Sequence, residues 1–316
     1  MKNILYTLIF LFASLSATAQ QETNYTFFMY NQQAYNPAYV GSRGFGSFTA
    51  LYRNQWTGFE GAPKSQLLSY QSPFLNDRIG IGVTVSHFEM GITNNWNANL
   101  AYSYKLQITD DWGMRLGMQG VFRYQGINFG DEKVVVSVLN DPSINSGGET
   151  RNYDANVGLG VYLNYKDLFY FGASVPNMYP NDISINESNT SGELAEYSAH
   201  FYFNMGGRFA INENVAFSPN LLVKYVQDAP VNFDINANFI FYERFVAGFS
   251  GRYGSSGTFD SVDLLMLYQL SGSLGLGLGY DFTLSEIKDH SSGSYEIMLR
   301  YDLGGEKSDL ENPRYF

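Results

Sequence analysis

Cysteine is absent from the 316 residues, which removes disulfide bridges, thiolate metal sites, a cysteine nucleophile and a lipid-anchored N-terminal cysteine. Charge is scarce too. Charged side chains make up 16% of the sequence, against about 25% in an average soluble domain, and this disfavours a soluble helical bundle. The charge present leans acidic, with 19 Lys and Arg against 30 Asp and Glu for a formal net charge of −11. No basic patch offsets that balance, so a phosphate backbone is repelled and nucleic acid is excluded as a partner. In place of charge the chain carries 25 Tyr, 25 Phe and 32 Gly, a composition that favours strands.

Long hydrophobic runs are lacking as well. The N-terminus reads Lys2, an apolar stretch from Ile4 to Leu15, and then Ala17-Thr18-Ala19, which is the charged, apolar and small-residue order of a signal peptide cleaved after Ala19. Beyond it the most apolar stretches are Val134 to Leu139 and Leu264 to Leu270, far short of the roughly 18 residues of a spanning helix. An exported chain of this kind is either soluble or a barrel, and its mature N-terminus near Gln20 is expected in the periplasm.

Periodicity decides between these. Trp96, Ala98, Leu100, Tyr102, Tyr104, Leu106 and Ile108 alternate with Asn97, Asn99, Ala101, Ser103, Lys105 and Gln107, the two-residue rhythm of a strand. After a tight Thr109-Asp110-Asp111 turn, Trp112, Met114, Leu116, Met118, Gly120, Phe122 and Tyr124 repeat it. Continued along the chain, the rhythm predicts fourteen strands, near 44–55, 64–73, 78–88, 95–108, 112–125, 153–165, 168–175, 197–209, 215–226, 231–242, 245–253, 261–270, 273–281 and 294–303. Short turns such as Asn76-Asp77, Lys166-Asp167, Glu213-Asn214 and Glu243-Arg244 alternate with longer links, notably 126–152, 176–196 and 282–293. An even strand number with short turns at one rim and long loops at the other describes an all-β, antiparallel transmembrane barrel with periplasmic turns and extracellular loops. A soluble β-sandwich would need a polar outer face, whereas here the polar face is small and rich in Gly, Asn and Ser. The residues divide into signal peptide 1–19, a periplasmic or lumen-plugging segment 20–43, barrel 44–303 and periplasmic tail 304–316.

The chemistry of a catalyst is not found. His87, His200 and His290 form no Ser-His-acid arrangement by spacing, and no His and carboxylate cluster has metal-ligand spacing. Gly275-Leu276-Gly277-Leu278-Gly279 lacks the helix and Lys-Ser or Lys-Thr of a phosphate loop and reads as a small-residue lumen face. No cofactor, metal or enzymatic activity is expected. Lys105, Arg115, Arg123, Arg208, Lys224, Arg252 and Arg300 fall on the same face as Asp154, Asp234, Asp281, Glu296 and Asp302, and cross-strand pairing explains them better than an ion-selective constriction. Leu265 and Leu267, which point inward beside Asp263, fit this scheme poorly. In the tail, Pro313 limits chain entropy, Arg314 is able to pair with a carboxylate, and Tyr315 and Phe316 offer the aromatic area of interface anchors, marking a candidate periplasmic docking site.

Two blocks carry a family resemblance. Phe28 to Ser42 contains Asn36 and Pro37, and Leu51 to Lys64 contains Arg53, Trp56, Gly58, Pro63 and Lys64. These blocks, with the ending Asn312 to Phe316, resemble the PorP/SprF family of outer-membrane proteins from Bacteroidetes type IX secretion systems. The resemblance implies a non-enzymatic outer-membrane barrel working with the secretion and gliding machinery. Its implied partners are periplasmic ring and lipoprotein components and secreted cargo bearing a C-terminal sorting domain. A fourteen-stranded pore or hydrophobic-substrate transporter, surrounded by the same outer-membrane lipid, is the alternative.

Overall fold

The computed structural model describes residues 23–131, 148–179, 181–184, 193–227, 229–254 and 258–303. The expected signal peptide, the tail with its four docking candidates, and Val134-Val135-Val136 lie outside the described residues. The strands are β1 (Gly46–Asn54), β2 (Lys64–Phe74), β3 (Ile79–Met90), β4 (Thr93–Gln107), β5 (Trp112–Asn128), β6 (Glu149–Tyr165), β7 (Phe169–Val175), β8 (Asn181–Ser184), β9 (Glu193–Tyr197), β10 (His200–Gly207), β11 (Phe209–Asn212), β12 (Val215–Val226), β13 (Asn232–Phe241), β14 (Phe245–Tyr253), β15 (Phe259–Gln269), β16 (Leu274–Thr283) and β17 (Ser294–Leu303). All but β8 and β9 join one antiparallel sheet. It closes where β1 pairs with β17, Gly46 opposite Leu303 and Asn54 opposite Tyr295. With β10 and β11 occupying one place in the wall, the barrel has 14 strands.

The break between β10 and β11 has a cause in the facing strand. The stretch 197–209 is expected as a single strand, yet the ladder to β12 stops after Gly206 opposite Asn220 and resumes at Phe209 opposite Phe217. Between those points β12 carries Pro219, which has no N–H to donate. A second departure is the β8–β9 hairpin, formed within the link expected at 176–196. Strands β4 to β6 are the tallest part of the wall and extend past their shorter neighbours at the rim that carries the long loops.

The two faces of the wall differ as the alternation demands. Leu100, Tyr102, Tyr104, Met118, Phe122, Leu264, Met266 and Leu278 are exposed on the outside, where lipid covers them. Facing inward, Ser103, Arg115, Gln119, Arg123, Asp263, Glu296 and Arg300 are buried. What buries them is the chain itself. Residues 25–33 and 36–41 are buried almost without exception, and their partners lie on strands all around the barrel, so this inner segment sits within the lumen. Leu265 and Leu267 now find their reason, because with Leu222, Ile240, Val246 and Met298 they pack against Phe27, Phe28, Met29 and Tyr30. An apolar patch on the lumen wall is the counterpart of an aromatic segment inside it.

The inner segment also removes the room that an open lumen would offer at Ser103. Its hydroxyl donates to the Val40 carbonyl at 2.6 Å, and the residue is 0% exposed. Leu100→Arg, on the lipid face, is expected to cost about 2–4 kcal/mol and to lower the yield of heat-modifiable, folded protein in outer membranes. Ser103→Arg is expected to be equally harmful through collision with the inner segment. A normal yield from either variant contradicts the assigned faces.

Candidate functional site

Residues 23–43 have little regular structure of their own: three short 3-10 turns, Phe28–Tyr30, Gln32–Ala34 and Pro37–Tyr39, make up most of it. Its tethers are therefore mostly side chains of the wall or of the segment itself, and several of them satisfy buried backbone groups. Near the turn-bearing rim Arg43 forms a bidentate pair with Asp302 at 2.9 and 3.1 Å, and Arg115 donates to the carbonyls of Gly41 and Asp77 at 2.8 and 2.9 Å. Halfway up, Asn36 caps the Pro37–Tyr39 turn by accepting from Ala38 N–H at 2.9 Å and donates to the Val161 carbonyl at 3.0 Å. Gln33 donates to Thr84 at 3.0 Å, Asn204 donates to Gln32 at 2.7 Å, and Ser174 donates to the Tyr35 carbonyl at 2.8 Å. The close approach depends on small residues: a Cβ at Gly117 would overlap the backbone of Ala38, and one at Gly277 would lie 2.9 Å from the Phe27 ring. The glycine-rich face of β16 is thus the seat of that ring.

Toward the loop-bearing rim the wall supplies a belt of buried charge. Arg53 contacts Asp281 at 2.7 Å and Glu296 at 3.4 Å, and also donates to the Thr26 hydroxyl at 2.9 Å. Arg252 lies 2.8 Å from Asp234, 3.4 Å from Asp281 and 3.8 Å from Asp263. Lys224 pairs with Asp234 and donates to Asn24. Glu296 uses both oxygens on the segment, accepting from Thr26 N–H at 2.8 Å and Phe27 N–H at 3.1 Å. Bonds to a charged acceptor are roughly twice as strong as neutral ones, and here they hold a stretch with no ladder of its own. The cross-strand pairing expected of the lumen charges is found, extending to Arg123 with Asp154 at 3.5 Å, while Arg300 meets Asp302 of its own strand at 3.5 Å. Arg115 binds carbonyls of the inner segment and the β2–β3 turn.

The family-block residues fall into two places. Asn36, Pro37 and Arg53 are buried in the lumen. Trp56, Gly58 and Pro63 lie in the β1–β2 loop, with Lys64 exposed at the start of β2. That loop turns through positive φ at Trp56 and Gly58, and its Pro63 carbonyl accepts from Gln55 N–H at 2.9 Å. It is also bonded to neighbouring loops. Thr57 exchanges backbone bonds of 2.7 Å with Gly293 and Ser292, and Gly91 donates to Gly61 at 2.9 Å. Outside the expected set of lumen charges, Arg43 joins the turn-bearing rim and Asp263 the belt; the signal for Asp263 was its place beside the apolar stretch Leu264 to Leu270, and Arg43 carried none. His87 stacks on Trp96 at 4.3 Å, and His200 bonds to the Ser198 carbonyl at 2.9 Å.

A family model described as "Type IX secretion system membrane protein PorP/SprF" matches residues 17–301. The chain belongs to the PorP/SprF family. No curated protein matches it in sequence. Among solved structures, the Pseudomonas putida toluene transporter TodX aligns with a TM-score of 0.51 at 11% identity, covering 92% of this chain and 96% of that one. The CymD monoaromatic hydrocarbon channel gives 0.50 at 11% identity, covering 86% and 91%. At such identity these likenesses speak for the barrel fold alone. As a member of the PorP/SprF family with an outer-membrane barrel, the protein is an outer-membrane component of type IX secretion. Its family and neighbours are secretion components and transporters rather than enzymes.

Stripping a buried carboxylate of its cation costs about 3–5 kcal/mol. Arg53→Met leaves Asp281 and Glu296 short of a partner and is expected to lower sharply the temperature at which the folded gel band is lost. Glu243→Gln breaks a rim pair with Arg208 in which Glu243 is half exposed, and is expected to change stability by about 1 kcal/mol or less.

Proposed function

We propose that the protein is a non-enzymatic docking barrel, joining secreted cargo with a C-terminal sorting domain on the outer side to periplasmic ring and lipoprotein components on the inner side. The observation that carries this reading is the continuous filling of the lumen by residues 23–43, tethered from Arg43 at one rim to Asn24 near the other. A barrel filled along its height has its rims, rather than its interior, available for work. The β1–β2 loop supports the outer half of the proposal, since its backbone bonds to two other loops give a preformed platform and preorganisation lowers the entropy lost on binding. Trp56, Gly58, Pro63 and Lys64 contribute to that platform, while Asn36, Pro37 and Arg53 hold the filling in place. Residues Pro313, Arg314, Tyr315 and Phe316 are the proposed inner docking element.

Purified protein is expected to show no steady large conductance in planar bilayers; such conductance would favour the pore or transporter reading. Deleting Asn312 to Phe316 is expected to leave folding intact while releasing periplasmic partners from the purified complex and impairing secretion. Full partner retention and secretion by the truncated protein would refute the role given to the tail.

A further inference from the structure

The inner segment climbs the barrel in reverse. Its C-terminal end meets Arg115 and Asp302, close to the rim where β4 turns into β5 and β17 ends. Its N-terminal end meets Arg53, Lys224, Asp263 and Glu296. Three of those four lie toward the end of their strands at the long-loop rim, Arg53 next to Asn54, Lys224 near Val226 and Glu296 near Ser294, and Asp263 lies in the half of β15 that begins at that rim. With short turns periplasmic and long loops extracellular, the chain enters from the periplasmic rim and runs outward as residue number falls. Thr23 and Asn24 are half-buried, unlike the residues that follow them. An N-terminus resting in the periplasm is not the arrangement that this path supports.

The two halves of the segment are held differently. From Asn36 to Gly41 it is wedged between wall backbones, with Ala38 against Gly117 and Val40 against Gly80, so that leaving requires the wall to move. From Asn24 to Phe27 the backbone is tethered by wall side chains, with Glu296 taking two of its N–H groups, while the Phe27 ring seats on Gly277 and Gly279.

We infer that the N-terminal half of the inner segment is an outward-facing strap, latched by Glu296 and presented at the cell-surface mouth of the barrel, with a fixed inner half as its anchor. Loosening of this half therefore opens toward the cell surface.

The absence of native cysteine makes the test direct. Thr23→Cys in the full chain is expected to react with a membrane-impermeant maleimide on intact cells, whereas Glu213→Cys in the β11–β12 turn is expected to react only after permeabilisation. Failure of Cys substituted at Thr23 to react on intact cells overturns the sidedness. For the latch, Tyr25→Cys, at a position 5% exposed, is expected to react slowly alone and at least about tenfold faster when combined with Glu296→Gln, following loss of a charge-assisted fork. Both proteins are first checked for the heat-modifiable folded band. An unchanged rate in folded double variant overturns the latch, and a misfolded one is replaced by Asp263→Asn, which loosens the Thr26 hydroxyl, under the same criterion. None of these readouts depends on secretion, so they stand apart from the docking reading.

Discussion

A guanidinium taken out of water must be paired, and Arg53 is paired three ways. It is 1% exposed and reaches Asp281 on β16, Glu296 on β17 and Thr26 of the inner segment. Because β1 and β17 are the first and last strands, this one side chain lies across the seam that closes the barrel. The same contact fixes the segment inside. Closure of the wall and filling of the lumen are thus coupled through charges that are satisfied only when both are complete, since desolvation makes each of them unfavourable alone.

The remaining lumen chemistry follows from that coupling. Facing Lys224, Arg252 and Arg53, the carboxylates of Asp234, Asp263, Asp281 and Glu296 form a continuous network along β12 to β17 and β1. Lower down, aromatic residues of the segment pack on Leu222, Ile240, Val246, Leu265 and Leu267, so that the wall is apolar where the filling is apolar and charged where the filling exposes backbone N–H. The likeness of fold to hydrocarbon channels therefore says little about traffic through this barrel, because transport depends on what occupies the lumen rather than on the strands around it.

Strand positions were legible because a barrel wall between lipid and lumen repeats every two residues. Strands β12 and β14 match their expected spans, 215–226 and 245–253, to the residue. The interruption at Arg208 was not legible from its own strand, since its cause is Pro219 on the facing one. The β8–β9 hairpin was missed because its arms are only four and five residues long, too short to display a two-residue rhythm. Leu265 and Leu267 looked misplaced for a related reason: alternation reports which face a residue takes, not what meets it there.

The sequence by itself determined the class of the protein, its strand number and its family. These follow from local patterns that any lipid-spanning barrel obeys and from the residue blocks around Asn36 and Trp56. Tertiary structure alone decided that residues 23–43 fill the lumen, that they run from the turn-bearing rim at Arg43 toward the loop-bearing rim at Asn24, and that Arg53 ties them to the seam. Those facts rest on contacts between residues far apart in the chain, such as Thr26 with Glu296 and Arg43 with Asp302. No local periodicity encodes such contacts, because the partners meet only once the strands have closed around the segment.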